Sequence, residues 1–79
     1  MSAAVLEQVR QTVADVFDVS IASVGAEPLS ESIEAWDSLG HVNMILALEQ
    51  SFGIAFDVEE IPELLTVQAI VDAIVAKLP

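Results

Sequence analysis

The chain has 79 residues, a length that favours a single domain over residues 1–79. It contains no cysteine and one histidine, which excludes disulfide bonds, thiolate zinc sites and metal sites built from several histidines. Its formal net charge of −11 disfavours nucleic acid as a partner. The sequence has neither a signal-peptide pattern nor an apolar run that could span a membrane, so we expect a cytoplasmic protein, and we also expect it to be a monomer.

The acidic excess also indicates what kind of protein binds this chain. Thirteen acidic residues face only two basic ones, Arg10 and Lys77. A negative field of this size favours encounter with proteins that present basic patches. Acidic surfaces also keep small domains soluble, but solubility does not explain the near-absence of lysine and arginine. The composition therefore favours a protein that is recruited by basic partners.

The first half of the chain combines one helix with a long connection. Apolar residues at three- and four-residue spacings predict an amphipathic helix over Ala3–Phe17, with Ser2 as its cap. Gly25 and Pro28 interrupt the pattern, so Ser20–Trp36 is predicted to be a long loop. Such loops tend to pack as units or to be functional. The loop contains apolar residues that can reach the core, namely Ile21, Val24, Leu29 and Ile33.

A second main helix is predicted directly after this loop. Asp37 is a favourable N-cap, which makes Ser38 the first residue inside the helix. The helix is expected to run to about Ser51 and to be stopped by Gly53.

Two further helices complete the predicted fold. A short helix is expected over Asp57–Leu64, interrupted or kinked by Pro62. Thr66 is expected to cap a last helix that runs to Leu78 with a clean apolar stripe. No segment shows sustained two-residue alternation, so the predicted fold class is all-α. We expect a small four-helix bundle with three main helices, one short helix and a long first loop.

The helix that begins at Ser38 carries two apolar faces. At about 100° per residue, one face is assigned to the core and contains Met44, Ile45, Leu48 and Phe52. The roughly opposite face contains Leu39, Val42 and Leu46. A helix on the surface of a small bundle needs only one buried stripe. The second face is therefore either a partner site or a surface that the long loop covers.

Ser38 has two interpretations on physical grounds. A serine in the first turn of a helix is ordinarily a capping or solubility choice. Alternatively it is a modification site, because a phosphodiester there would lie by unpaired backbone N–H groups at the positive end of the helix. A serine hydrolase built from Asp37, Ser38 and His41 is disfavoured, since three residues on one helical turn do not readily align a nucleophile, a base and an orienting acid.

One stretch of sequence resembles a known family. Its residues are Trp36-Asp37-Ser38-Leu39-Gly40-His41, followed by Val42, Ala47-Leu48-Glu49, Phe52-Gly53 and Thr66-Val67-Gln68-Ala69-Ile70. They resemble acyl carrier proteins, the phosphopantetheine-binding carriers, whose attachment motif is an Asp-Ser-Leu triplet opening a helix. The resemblance covers essentially the whole chain and suggests a specialised bacterial member.

The resemblance implies a carrier that performs no catalysis. A phosphopantetheinyl transferase would move 4′-phosphopantetheine from coenzyme A onto Ser38, and the thiol of that arm would hold acyl groups as thioesters. Acyl-activating or acyl-transferring enzymes with basic docking patches would then use the loaded protein. The resemblance also implies a set of partner-binding residues: Asp37, Leu39, Val42, Leu46 and Glu49. Of these, Asp37 would help the transferase to recognise the site. No metal is implied.

The sequence departs from carriers of the general fatty-acid pathway beside Ser38. In those carriers the residue after the triplet is often acidic, as is the one three residues later, but here they are Gly40 and Asn43. This departure predicts a specialised carrier in a secondary-metabolic or cell-envelope pathway. Fatty acyl, polyketide, hydroxyacyl and aminoacyl cargo all remain open, so an aminoacyl or peptidyl carrier is one alternative. An unmodified acidic module that binds a partner helix is another. His41 is expected to border the entrance to the bundle, where it would help to select cargo.

Overall fold

Helices account for the regular structure of the protein. The computed structural model describes residues 3–25, 27–34 and 36–78. Within these residues the α-helices are α1 (Ala3–Phe17), α2 (Leu29–Ser32), α3 (Ser38–Phe52) and α4 (Val67–Lys77), and there are 3₁₀ turns at Ile21–Ser23 and Ile61–Glu63. The same residues contain no β-strand, which confirms the predicted all-α class.

The bounds of α1 and α3 follow from local signals in the sequence. α1 has the predicted range, while its predicted cap, Ser2, lies outside the described residues. Asp37 caps α3 by accepting a hydrogen bond from the N–H of Gly40 on its Oδ1 at 2.7 Å, so the helix begins at Ser38 as predicted. α3 extends one residue beyond Ser51 and ends at Gly53, which adopts the left-handed conformation with φ of 67°.

The last helix is also capped as predicted. Thr66 Oγ1 accepts the N–H of Ala69 at 3.1 Å, and α4 then runs to Lys77, one residue short of the predicted end.

The predicted short helix over Asp57–Leu64 is wrong in its extent. Turn residues occupy positions 58–60, and only Ile61–Glu63 form a 3₁₀ turn. Pro62 has no N–H to donate to the carbonyl four residues earlier, and its ring crowds that carbonyl, so an α-helix cannot continue through it. We call residues 57–63 the acidic segment, because four of its seven positions are Asp57, Glu59, Glu60 and Glu63.

The long loop is more ordered than the sequence predicted. The apolar residues expected to reach the core are buried or partly buried against it: Ile21, Val24, Leu29 and Ile33. Arg10 of α1 organises the first part of the loop by donating to the carbonyls of Ile21 and Val24, each at 3.1 Å. The N–H of Leu29 donates to the carbonyl of Leu65 at 2.8 Å, which links α2 to the segment before α4.

The core lies where α1 packs against α3 and α4. Each of these helices contributes two side chains without solvent exposure: Val9 and Val13, Met44 and Leu48, Ile70 and Ile74. Among the described residues the buried set contains no polar or charged side chain. Burial of each aliphatic side chain stabilises the fold by about 1.5–3 kcal/mol. One face of α3 is thereby fixed inward, which leaves the opposite face directed to solvent.

An ion pair fastens the acidic segment to the end of α4. Lys77 Nζ lies 2.8 Å from Glu60 Oε2, and the same oxygen accepts the N–H of Asp57 at 2.8 Å. The hydrogen bond from Lys77, followed by that from the Asp57 backbone, lowers the pKa of Glu60. The carboxylate in turn raises the pKa of Lys77.

Candidate functional site

Ser38 lies at the exposed start of α3. In the first turn of an α-helix the backbone N–H groups have no acceptor within the helix. The Asp37 carboxylate accepts one of them, that of Gly40, while those of Ser38 and Leu39 have no intrahelical partner. The Ser38 hydroxyl therefore stands at the positive end of the helix dipole, where an anionic group attached to it is stabilised.

A cleft of about 460 Å³ opens beside Ser38. We call it the Ser38 cleft. Asp37 and Ser38 line it together with residues that we call its first wall, Trp36, His41 and Val42, and residues that we call its second wall, Ile61, Pro62 and Leu65. Most of these side chains are apolar, so the cleft suits a largely apolar group better than an ion.

An aromatic cluster supports the first wall of the cleft. Phe17 stacks on Trp36 with ring centroids 5.1 Å apart, and Trp36 meets the ring of His41 edge-on at 5.2 Å. His41 Nε2 lies 2.8 Å from the carbonyl oxygen of Ile61. A carbonyl only accepts hydrogen bonds, so Nε2 carries the hydrogen in this contact. His41 Nδ1 is buried and has no hydrogen-bond partner among the residues that the structure describes.

Gly40 allows α3 to lie close against this cluster. A Cβ atom at this position would lie 2.6 Å from Phe17 Cε1 and 3.1 Å from Phe17 Cζ. Gly40 therefore has a packing role in this chain.

The second apolar face of α3 is open to solvent. Leu39, Val42 and Leu46 are 68%, 49% and 51% exposed, whereas Met44 and Leu48 on the core face are fully buried. The long loop therefore does not cover this face. We call Leu39, Val42 and Leu46 the docking face. It begins beside Ser38 and runs along α3, and such a contiguous exposed apolar strip is typical of a partner site.

The two acidic residues predicted to bind partners also have contacts within the molecule. Asp37 caps α3, as described above. Glu49 is half-buried, and its Oε2 accepts the N–H of Phe56 at 2.8 Å, which fastens α3 to the link that follows it. Asp37 and Ser38 are thus exposed at the start of α3, where the docking face begins, whereas the Glu49 carboxylate is engaged with the chain beyond the helix.

The disfavoured hydrolase arrangement is not formed by these side chains. The Asp37 carboxylate is hydrogen-bonded to a backbone N–H and His41 Nε2 to a carbonyl, and within the described ranges His41 Nδ1 has no partner. No chain of hydrogen bonds therefore links Asp37, His41 and Ser38. In the described part of the chain, no group of three or more histidine, cysteine, aspartate or glutamate residues is placed to hold a metal ion. Nor does any helix in that part have the length and apolarity needed to cross a membrane.

Comparison with known proteins identifies the family. The family profile described as "Phosphopantetheine attachment site" matches residues 7–74. A curated relative, "Acyl carrier protein" of Thermosynechococcus vestitus (strain NIES-2133 / IAM M-273 / BP-1), is 41% identical over 71 residues, which cover 89% of this chain and 86% of that protein. The chain belongs to the acyl carrier protein family. A further relative, "Acyl carrier protein 3" of Ralstonia nicotianae (strain ATCC BAA-1114 / GMI1000), is 32% identical over 74 residues, covering 94% of this chain and 85% of that protein.

Membership of the acyl carrier family fixes the general chemistry. Acyl carrier proteins are carriers and not enzymes, and their prosthetic group is a covalently attached 4′-phosphopantetheine. They interact with phosphopantetheinyl transferases and with enzymes that handle acyl groups. The predicted family and cofactor are therefore confirmed, and the question that remains is which residues of this chain serve them.

Proposed function

We propose that Ser38 is the residue that carries the phosphopantetheine arm and that the protein, as a single carrier domain over residues 1–79, presents acyl groups from there to partner enzymes. The observation that carries the proposal is the position of Ser38. Its exposed hydroxyl lies at the N-terminus of α3, between the Ser38 cleft and the docking face, inside the stretch that matches the family. The helix end suits a phosphodiester, and the apolar cleft gives an elongated arm or a short acyl group a surface to lie on.

The residues around Ser38 act by holding it in place. Asp37 fixes the start of the helix through its bond to Gly40, which keeps the Ser38 hydroxyl on the outside of the first turn. When attached, the arm supplies the thiol on which acyl groups are held as thioesters. The chain itself needs no catalytic base, because the transferase and the acyl-handling enzymes perform the chemistry.

The docking face is the proposed contact for these enzymes. Its three apolar residues are exposed and lie within three turns of Ser38 on the same helix. Aliphatic side chains exposed in this way gain free energy when a partner removes them from water, at about 25 cal/mol per Å². Asp37 lies beside this face and is proposed to contact the transferase, and Glu49 continues the face by one turn.

The charge distribution supports a specialised carrier. Gly40 and Asn43 leave the first turns of α3 without acidic side chains after Asp37. The acidic segment, in contrast, presents Asp57, Glu59 and Glu63 at the surface, and it contributes Ile61 and Pro62 to the Ser38 cleft. We therefore propose partners whose basic residues face the acidic segment, in a secondary-metabolic or cell-envelope pathway. The expected cytoplasmic location stays a prediction.

Mass spectrometry tests the attachment residue. The protein is incubated with coenzyme A and a phosphopantetheinyl transferase of broad specificity, and we expect the mass to rise by one phosphopantetheine. Ser38→Ala is expected to abolish the gain, whereas Ser23→Ala, which alters another exposed serine, is expected to leave it unchanged. A gain that survives Ser38→Ala would place the arm elsewhere. No gain with any transferase would instead favour the unmodified interaction module.

A matched pair of variants tests the docking face. Leu46→Asp introduces a charge into the face, and Val75→Asp introduces the same charge at an exposed apolar position of α4. We expect Leu46→Asp to reduce the transferase kcat/KM by about fivefold or more, the loss of a contact worth about 1 kcal/mol. Val75→Asp is expected to have little effect. Equal losses in both variants would indicate a response to charge alone.

An assay with a ketoacyl synthase of general fatty-acid synthesis tests whether the protein serves a specialised pathway. We expect the loaded protein to be a poor substrate compared with a general fatty-acid carrier. Equal efficiency would contradict the specialised role. The mass of the cargo on protein isolated from its source would distinguish an acyl carrier from an aminoacyl or peptidyl carrier.

A further inference from the structure

Trp36 and His41 occupy the two positions at which side chains can fasten the start of a helix. Asp37 is the N-cap of α3, so Trp36 is the residue before the cap and His41 is the fourth residue of the helix. Apolar side chains at these two positions often pack together and fix the angle at which the chain enters a helix. Here the two rings meet edge-on, with centroids 5.2 Å apart. We call this pair the aromatic staple, and Ser38 lies inside the turn that it spans.

The aromatic staple is anchored to the rest of the molecule through both of its residues. Phe17, the last residue of α1, stacks on Trp36 at a centroid distance of 5.1 Å. The N–H of Trp36 donates to the carbonyl of Ile33 at 3.1 Å, and the Ile33 side chain is buried. His41 Nε2 donates to the carbonyl of Ile61 at 2.8 Å. The first turn of α3 is thus held by α1, by the long loop and by the acidic segment.

The sequence lacks one common means of fixing this turn. In a capping box the third residue of the helix is glutamate or glutamine, and its side chain bonds back to the N–H of the cap residue. That position is Gly40, which has no side chain, so the bond from Gly40 N–H to the Asp37 carboxylate is not reciprocated. The ends of helices fray. The aromatic staple therefore supplements the cap in keeping Ser38 within a helical turn.

We propose that Trp36 and His41 are positioning residues for the modification of Ser38. In this reaction the Ser38 oxygen forms a bond to the phosphorus of the phosphopantetheine half of coenzyme A. The pyrophosphate bond to adenosine 3′,5′-bisphosphate breaks, and the hydroxyl proton leaves to a base outside this chain. The rate depends on where the hydroxyl stands relative to that phosphorus. The aromatic staple keeps the hydroxyl in the first helical turn, at a fixed distance from the docking face on the same helix. The inference rests on the proposed attachment at Ser38.

Transferase kinetics test this role. Trp36→Ala removes the staple, and we expect kcat for phosphopantetheine transfer to fall by about fivefold or more, while KM for the carrier changes less because the docking face is intact. Trp36→Phe restores an aromatic ring and is expected to recover most of the rate. His41→Ala removes the other ring and is expected to lower kcat similarly. Because both residues act through one contact, the double variant should lose little more than either single variant.

Phe52→Ala is the matched control for these variants. Like Trp36, Phe52 is a partly buried aromatic residue at an end of α3, but it lies at the end remote from Ser38. Its substitution loosens the packing without changing the staple. We therefore expect its kcat to stay near the wild-type value at a temperature where circular dichroism shows every variant to be folded. An unchanged kcat in Trp36→Ala, or an equal loss in Phe52→Ala, would overturn the proposal. So would a loss confined to KM, because it would assign Trp36 to the docking surface.

Hydrogen exchange measures the start of α3 directly. The amides of His41 and Gly53 each donate to the carbonyl four residues earlier at 2.9 Å, in the first and last turns of the helix. We expect Trp36→Ala to speed exchange of the His41 amide by about tenfold and to leave Gly53 unchanged, and Phe52→Ala to do the reverse. Equal exchange at His41 in the wild type and Trp36→Ala would contradict the staple. If the exchange result holds but the wild type gains no phosphopantetheine, the attachment at Ser38 is refuted and not the staple.

Discussion

Gly40→Ala is expected to destabilise the protein, although alanine is the better helix former. In a helix interior, replacement of glycine by alanine stabilises the helix by up to about 1 kcal/mol. At this position the new Cβ would lie 2.6 Å from Phe17 Cε1 and 3.1 Å from the Asp37 Oδ1 that caps the helix. Forcing an extra methyl into a packed site costs about 1–3 kcal/mol.

The Phe17 ring cannot move away freely, because it stacks on Trp36 at a centroid distance of 5.1 Å. Disturbing such a pair costs a further ~0.5–1.5 kcal/mol. After the gain in helix propensity is subtracted, we expect Gly40→Ala to lower the free energy of unfolding by about 1 kcal/mol. In a domain of this size that lowers the Tm by about 4–8 °C.

Calorimetry on four variants measures this effect and its cause. Asn43→Ala alters an exposed residue of the same helix and is expected to raise the Tm slightly, through helix propensity alone. In a Phe17→Leu background the contact is relieved, so the further change Gly40→Ala is expected to be neutral or stabilising. The coupling free energy between positions 17 and 40, obtained from this double-mutant cycle, should then reach about 1–2 kcal/mol. A Tm for Gly40→Ala above that of the wild type would refute the close approach of α3 to Phe17.

Three further predictions concern the cap, the core and the ion pair. Asp37→Ala should lower the free energy of unfolding in urea by about 1 kcal/mol, because the Gly40 N–H loses its acceptor. Asp37→Asn keeps a side-chain acceptor for this N–H, so a loss of modification by the transferase in this variant would reflect recognition and not stability. Leu48→Ala should cost about 2–5 kcal/mol in the same assay, because its side chain is fully buried. Lys77→Met should lower the Tm near neutral pH. The pKa of Glu60 is lowered, so the stabilisation by this pair is present above the unfolded pKa of the carboxyl and is lost as the pH falls through its folded pKa. The pKa of Lys77 is raised, so the same stabilisation is also lost as the pH rises through the folded pKa of the amine. A Tm difference between wild type and Lys77→Met that persists in strong acid would show that the charge pair is not its source.

The main helices could be predicted because their signals are local. The cap residue Asp37, the stop at Gly53 and the apolar spacing of α1 each act within a few residues, and the structure bears out the positions they predict. The docking face could also be predicted, since helical periodicity alone separates Leu46 from the core side of α3. Whether that face is covered depends on the path of the loop, which periodicity does not determine.

The contacts that shape the Ser38 cleft could not be predicted, because they join residues distant in sequence. His41 meets Ile61 twenty positions later, and Phe17 reaches Gly40 across the long loop. The predicted extent of the short helix was wrong for a different, local reason. An interruption or kink was already expected at Pro62, and the missing N–H of this proline leaves only a 3₁₀ turn there.

The packing around Gly40 accounts for the unusual charge distribution near Ser38. An acidic side chain at position 40 would need the space that Phe17 occupies, so the aromatic cluster and a charge at this position exclude one another. The proposed basic partners would then meet negative charge on another element, and the acidic segment contributes Ile61 and Pro62 to the same cleft. A partner guided by that charge would approach Ser38 across the cleft and not only along α3. Its contact with the acidic segment would lie next to the Ile61 carbonyl, to which His41 is hydrogen-bonded.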